Sequence, residues 1–207
     1  SHSVLGLAGL SSSQIARAGG REMLARGPRE VHGQEIVGDG MSGIIAGHDG
    51  YAPSHGLGYM RRIEMSVDGR AIWSEETLAA ITDTEQDTFR DALARTGLGG
   101  IRYALRFHLH PDVDAAIDLG GTAVSLALKS GEIWVLRYEG AADLAIEASV
   151  YLEKGRLKPR ATKQVVLSGA AFDYATRIRW SLAKAQDTPV GLRDLVRDDP
   201  GGLPEDT

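Results

Sequence analysis

The stretch Ile101-Arg-Tyr-Ala-Leu-Arg-Phe-His-Leu-His110 decides the fold of this chain. Apolar side chains occupy every second position from Ile101 to Leu109, and arginine and histidine occupy most of the positions between them. Successive side chains of a strand point to opposite faces, so this alternation predicts a strand with one face in a core and the other face polar.

Similar runs recur along the chain. They cover residues 59–67, 124–128, 133–138, 145–152 and 176–182. Several are joined by dipeptides typical of hairpin turns, such as Asp68-Gly69 and Ser130-Gly131. Closely spaced strands without long helical segments between them predict an all-β fold, an antiparallel two-sheet β-sandwich.

The remaining segments define the expected organisation. Residues of about 84–95 fit one short helix inserted between strands. Residues 1–34 are expected to be a lead-in, partly helical or loose, with a helix over 11–26 that starts from a Ser11/Gln14 capping pair. The β-sandwich is expected over 35–185, followed by a mobile tail over 186–207 that is rich in proline, glycine and acidic residues.

Composition excludes several classes of function. The 207 residues contain 23 Lys and Arg against 28 Asp and Glu, a net charge of −5, which disfavours a nucleic-acid partner. The absence of cysteine excludes disulfides and thiolate chemistry. No run is long and apolar enough to predict a membrane span. Because the chain starts without methionine, we expect it to be a piece of a longer protein.

Two groups of ionisable residues are candidates for a site. His48-Asp-Gly-Tyr51 combines an acid–base residue with a phenol, and Arg61, Arg62, Arg102 and Arg106 are suited to binding carboxylates. His108 and His110 occupy alternate strand positions, about 7 Å apart on one face, where they can converge on a metal or an anion. A polar strand face that shows both histidines to solvent is the favoured explanation of the second pattern.

The order of these pieces resembles the C-terminal β-sandwich domain of the heparinase II/III family. Seven pieces carry the resemblance: Gly47-His-Asp-Gly-Tyr51, Arg61 to Gly69, Ser74-Glu-Glu76, Tyr103 to Pro111, Ile146 to Leu152, Gln164 to Gly169 and Arg179 to Leu182. Together they cover residues 35–185 in the family's order.

The resemblance implies an activity and a set of site residues. Members of the family are polysaccharide lyases and relatives that cleave uronic-acid-containing chains by β-elimination, with most catalytic groups in an N-terminal helical domain. It implies that His48 is catalytic. Residue chemistry together with the resemblance makes Tyr51, which would line the cleft, the second catalytic candidate and makes Arg61, Arg62 and Arg106 the candidates for binding acidic sugar. Some members hold a structural zinc, for which His108, Glu76 and His110 are the candidate ligands.

The predicted function is therefore that of a C-terminal domain, inactive without its N-terminal helical partner, in a lyase that acts on acidic polysaccharide. By resemblance alone, the parent protein is expected in the periplasm. Two alternatives remain open at this stage. One is a non-catalytic sandwich that binds carbohydrate or supports a neighbouring domain. The other is a cupin-like metal enzyme built on His108 and His110.

Overall fold

The computed structural model of the chain describes residues 3–38, 40–155 and 158–185. These residues form two large antiparallel sheets, a separate two-stranded hairpin and two α-helices. The four-stranded sheet has the order β1 (Leu5–Leu7), β8 (Ile101–His108), β13 (Arg160–Ala171), β12 (Asp143–Tyr151).

The eight-stranded sheet contains the remaining large strands. Its order is β4 (Val31–Gly38), β5 (Met41–Tyr51), β6 (Leu57–Ser66), β7 (Ala71–Ala79), β14 (Ala175–Lys184), β11 (Ile133–Glu139), β10 (Ala123–Ala127), β9 (Asp114–Asp118). All pairings in both sheets are antiparallel, which confirms the predicted sandwich.

The strand quoted first, β8, lies inside the four-stranded sheet. Leu105 pairs with Leu5 on one side and with Leu167 on the other, and all three side chains are buried. The alternate residues from Ile101 to Phe107 point into the core, as the alternation predicts. The Phe107 ring meets the ring of Trp180, which belongs to the eight-stranded sheet, at a centroid distance of 4.9 Å. The two sheets thus share one core.

The predicted helical insertion is confirmed as α2 (Asp83–Thr96). Thr82 and Glu85 form a reciprocal capping box at its start, and Phe89 enters the core. The shorter helix α1 (Ala52–His55) ends at Gly56, which has φ of 65° and lies directly against α2. The contact between the two helices therefore depends on a residue without a side chain.

The helix predicted over 11–26 is wrong. This segment forms a hairpin of β2 (Gln14–Ala18) and β3 (Arg21–Arg26), with every side chain exposed. Gly19 and Gly20 connect the strands with φ of 58° and 79°, a pair of left-handed residues that suits a tight hairpin turn. The apolar side chains of this segment, Ile15, Met23 and Leu24, are exposed and cover no core, so the glycine pair outweighed the helical spacing.

Part of the predicted lead-in contributes to the two sheets. Strand β1 pairs with β8, and the boundary placed at residue 35 falls inside β4. The predicted mobile tail, 186–207, lies outside the described residues. In the described ranges, no helix combines the length and apolar character needed to cross a membrane.

Candidate functional site

A groove of about 1250 Å³ is lined by residues of both sheets. The eight-stranded sheet contributes His48, Tyr59 and Arg61, and the four-stranded sheet contributes Arg102 and Arg106. Residues 9–13, which lead into the exposed hairpin, line it as well. A concave surface of this size with several convergent polar groups is where a ligand site is expected.

His48 lies in the groove between two tyrosine rings. On β5 it pairs with Tyr59 of β6, and its ring lies 5.1 Å from the Tyr59 ring and 5.5 Å from the Tyr51 ring. Its Nδ1 accepts a hydrogen bond of 3.1 Å from the backbone N–H of Gly50. Burial lowers the pKa of His48, against an opposing effect of Asp49. The neutral ring, which burial favours, has its proton on Nε2 because Nδ1 is an acceptor, and Nε2 can donate to a ligand.

The two residues after His48 fix the base of the hairpin beside the groove. Asp49 Oδ1 accepts hydrogen bonds from the backbone N–H groups of Arg29, at 2.8 Å, and Glu30, at 3.1 Å. Gly50 lies so close to Ser12 that a Cβ at this position would be 2.9 Å from the Ser12 carbonyl oxygen. In this motif His48 lines the groove, while Asp49 and Gly50 position the chain segments at the rim of the groove.

Tyr51 is used by the fold. Its side chain is buried, and its hydroxyl donates a hydrogen bond of 2.7 Å to the carbonyl oxygen of Leu5. Burial raises the pKa of the phenol, so less of it ionises to phenolate at neutral pH than in a free tyrosine. The structure places Tyr51 as a tie between β5 and β1, at the buried side of the groove wall.

Arg61 and Glu76 form one buried network. Arg61 Nε lies 2.8 Å and 2.9 Å from the two carboxylate oxygens of Glu76, which is fully buried. The Tyr59 hydroxyl donates a hydrogen bond to the same carboxylate. Trp180 Nε1 and Ser74 Oγ donate hydrogen bonds to it at 2.8 Å and 3.3 Å. Burial, then the charge of Glu76, raise the pKa of Tyr59.

One nitrogen of Arg61 extends this network toward the groove. Nη1 donates to the carbonyl oxygen of Ser3 at 2.8 Å, whereas Nη2 is buried and has no hydrogen-bond partner among the described residues. Arg61 is thus structural, and its buried Nη2 is a nitrogen without a hydrogen-bond partner among the described residues.

The three candidate zinc ligands do not fit a metal. Glu76 already accepts hydrogen bonds on both oxygens and belongs to the other sheet from His108, whose Nδ1 lies 2.9 Å from Ser149 Oγ. His110 stacks edge-on against Tyr151. In the ranges that the structure describes, no three His, Cys, Asp or Glu side chains form a group able to hold a metal ion.

The arginines divide between two faces. Arg102 and Arg106 line the groove on the polar face of β8, and neither forms an ion pair within the described part of the chain. Arg62 lies on the other face of the sheet, away from the groove. There its Nη2 pairs with Glu64 at 2.7 Å. The structure therefore brings His48, Arg61 and Arg106 together and separates Arg62 from them.

Sequence reasoning missed Tyr59, which bridges His48 and Glu76. Its position two residues before Arg61 places both side chains on one strand face. That spacing is the available signal. The partner of both residues, Glu76, is set by the β6–β7 register, in which Arg61 pairs with Glu76.

Comparison with known proteins gives one family. Residues 1–181 match the family described as heparinase II/III-like, C-terminal. FtsZ-localized protein C from Caulobacter vibrioides is 31% identical over 143 residues, which span 67% of this chain and 23% of that protein.

The solved structures similar to this chain share its fold. Heparan sulfate lyase HepC from Pedobacter heparinus superposes with a TM-score of 0.60 at 9% identity, over 88% of this chain and 24% of that one. A heparinase III structure gives a TM-score of 0.55 at 10% identity, over 88% and 23%. The chain thus spans about a quarter of the length of these relatives.

Proposed function

This chain belongs to the heparinase II/III-like C-terminal family, and from that membership we propose that it forms one wall of a cleft for acidic polysaccharide. The longer protein would cleave uronic-acid-containing chains by β-elimination, with a helical domain forming the opposite wall. The relatives are about three to four times as long as this chain, which supports a partner domain in the same polypeptide.

One observation carries the proposal: Arg102 and Arg106 line the groove without ion-pair partners among the described residues. Guanidinium groups bind carboxylates in a planar, two-pronged geometry. Several other cations of the described surface sit in ion pairs, such as Arg62 with Glu64 and Lys163 with Asp114. Unpaired cations on a strand face that lines a groove are suited to successive uronate units.

We infer that the reaction requires more groups than the described residues of the groove offer. A base removes the proton at C5 of the uronate, the C4–O bond breaks to leave a C4–C5 double bond, and an acid protonates the departing oxygen. His48 Nε2 can donate a hydrogen bond to the uronate carboxylate as negative charge builds up on it. The hydroxyls of Tyr51 and Tyr59 are occupied by Leu5 and Glu76. We expect the helical domain to supply the base and this chain alone to be inactive.

Binding to an alginate hexasaccharide tests the proposal on the isolated chain. We expect saturable binding by calorimetry that weakens at least tenfold in Arg106→Ala and weakens further with added salt, since each lost contact is electrostatic. Arg90→Ala, which removes an exposed arginine on α2, is the matched control and should bind as the parent does. Equal affinity in the Arg106 and Arg90 variants would contradict the proposal.

Catalysis is tested in the longer protein, by following the ultraviolet absorbance of the unsaturated product. His48→Ala should reduce turnover by about 10²-fold or more, within the range that one hydrogen-bond donor to a developing negative charge contributes. Turnover equal to that of the parent would exclude a role for His48 in the reaction.

A non-catalytic role is the second candidate, favoured by the use of Arg61, Tyr51 and Tyr59 inside the fold. The relative at 31% identity is named for localisation with FtsZ, whereas the similar lyase structures, at 9–10% identity, establish the fold alone. A longer protein that binds acidic polysaccharide but yields no unsaturated product would establish this second role.

A further inference from the structure

We propose that the outer face of the eight-stranded sheet carries a second carbohydrate site, built around Trp73, that binds a neutral sugar ring. The site is a cavity of about 610 Å³, on a different sheet face from the groove. Its volume lies within the range of small-ligand pockets. It does not depend on the function proposed for the groove.

The strand register builds the site from two rows of neighbours across β6, β7, β14 and β11. Each row contains one side chain from each strand, all on the face opposite the core. The first row is Arg62, Glu75, Arg179, Glu139, and the second is Glu64, Trp73, Ser181, Arg137. All eight residues line the cavity.

Trp73 differs from the other two tryptophans. The indole N–H groups of Trp134 and Trp180 donate hydrogen bonds to Glu132 and Glu76, and both rings pack against the core. The side chain of Trp73 is 44% exposed, and its indole N–H has no partner among the described residues. Its neighbour on β14 is Ser181, which is too small to cover an indole. Trp73 therefore offers an open aromatic surface with a free donor at its edge.

The charges around Trp73 balance. Arg62, Arg137 and Arg179 contribute three positive charges, and Glu64, Glu75 and Glu139 contribute three negative charges. Glu75 already pairs with Arg179 at 2.8 Å, and Glu64 pairs with Arg62 at 2.7 Å. A polyanion would meet as much repulsion as attraction here, which distinguishes this face from the groove.

These groups match the chemistry of a pyranose ring. The apolar C–H face of the sugar packs on the indole, while hydroxyls donate to carboxylate oxygens and accept from guanidinium groups. Arg137 has no ion-pair partner within the described ranges and supplies uncommitted donors. A protein partner is disfavoured because the cross-strand neighbours of Trp73 are polar, so no contiguous apolar patch surrounds it.

Titration of the full chain with three neutral hexasaccharides, maltohexaose, cellohexaose and chitohexaose, tests the proposal. We expect at least one to bind saturably and to perturb the indole N–H signal of Trp73 in a ¹H–¹⁵N spectrum. Trp73→Ala should weaken binding at least tenfold, and Trp73→Tyr should retain part of it. Because Trp73 is exposed, unchanged circular dichroism should show that both variants fold.

Arg106→Ala serves as the control from the groove and should leave neutral-sugar binding unchanged. The proposal is overturned by any of three results: no binding of the three sugars, equal binding by the parent and Trp73→Ala, or concentration-dependent self-association that buries Trp73. Alginate binding that depends on Arg106 can hold or fail independently, so the two sites are tested separately.

Discussion

Glu76 is the residue on which the groove wall most depends. Its buried carboxylate accepts from Arg61, Tyr59, Trp180 and Ser74. Glu76→Ala would leave a buried guanidinium without its counter-ion and an indole N–H without an acceptor. We expect a loss of about 3–5 kcal/mol in the free energy of unfolding, measured by urea denaturation.

The neighbouring Glu75 provides the comparison for that measurement. It forms ion pairs with Arg177 and Arg179 on the solvent side of the same strand. Because exposed pairs contribute little, Glu75→Ala should reduce stability by about 1 kcal/mol or less. Similar losses in the two variants would show that the Glu76 network does not stabilise the fold.

Residue roles were harder to predict than residue faces. The sequence suggested Arg61 for substrate and Glu76 for metal, two separate tasks, and the structure joins them in one network. Alternation along β6 and β7 tells which residues share a face, but pairing Arg61 with Glu76 requires the register between the strands. The register follows from packing of the whole sheet, which a local pattern does not contain.

The contact between α1 and α2 depends on Gly56. This residue has φ of 65°, and a Cβ here would lie 2.0 Å from the carbonyl oxygen of Glu85. Gly56→Ala must therefore shift α2 and its buried Phe89. Adding backbone strain to overpacking, we expect a loss of about 2–5 kcal/mol, measured by urea denaturation.

Gly69 is the matched control because it has nearly the same conformation, φ of 67°, with open space around its Cβ position. Gly69→Ala carries the strain alone, about 1–2 kcal/mol. If Gly56→Ala proves no worse than Gly69→Ala, the close approach of the two helices does not hold in solution.

At the element scale, prediction succeeded where one strong local signal acted alone. The alternation of β8 and the helical spacing of α2 agree with the core that these elements face, and both were predicted at nearly their observed bounds. The 11–26 segment carried two conflicting signals, a helical capping pair and a glycine pair. Because neither face of the hairpin is buried, packing favours neither structure, and the glycine pair determines that a turn forms.

For the molecule as a whole, the hairpin β2–β3 should be dispensable for stability. Its side chains are all exposed, and its ends lie side by side because Gln14 pairs with Arg26. Replacing residues 14–26 with a short Gly-Ser linker should change the free energy of unfolding by about 0.5 kcal/mol or less. Leu105→Ala, a core truncation, should lose about 2–5 kcal/mol in the same assay.

A loss of core-like size on deletion of the hairpin would mean that it packs against the sandwich in solution. A small loss would assign the hairpin to the rim of the groove, where Asp49 holds its base. The same deletion can then be assayed for alginate binding, which separates a role in the ligand site from a role in folding.

The class and topology of the molecule were predictable to different degrees. Two antiparallel sheets follow from strand periodicity and turn chemistry. The assignment of strands to sheets does not, because β1 joins β8 across about a hundred residues, with Leu5 opposite Leu105. Such pairings are determined by packing in the shared core. The local sequence of residues 5–7 therefore predicts only a loose lead-in, although these residues form a strand.

The place of β14 has a consequence for how the protein is made. This last described strand lies in the interior of the eight-stranded sheet, between β7 and β11. During synthesis, β4–β7 and β9–β11 therefore emerge as two half-sheets with open edges, and such edges are prone to aggregate. The two half-sheets can join only after β14, which ends at residue 184, has left the ribosome. A nascent chain that stalls earlier therefore exposes the open edges of β7 and β11 to chaperones.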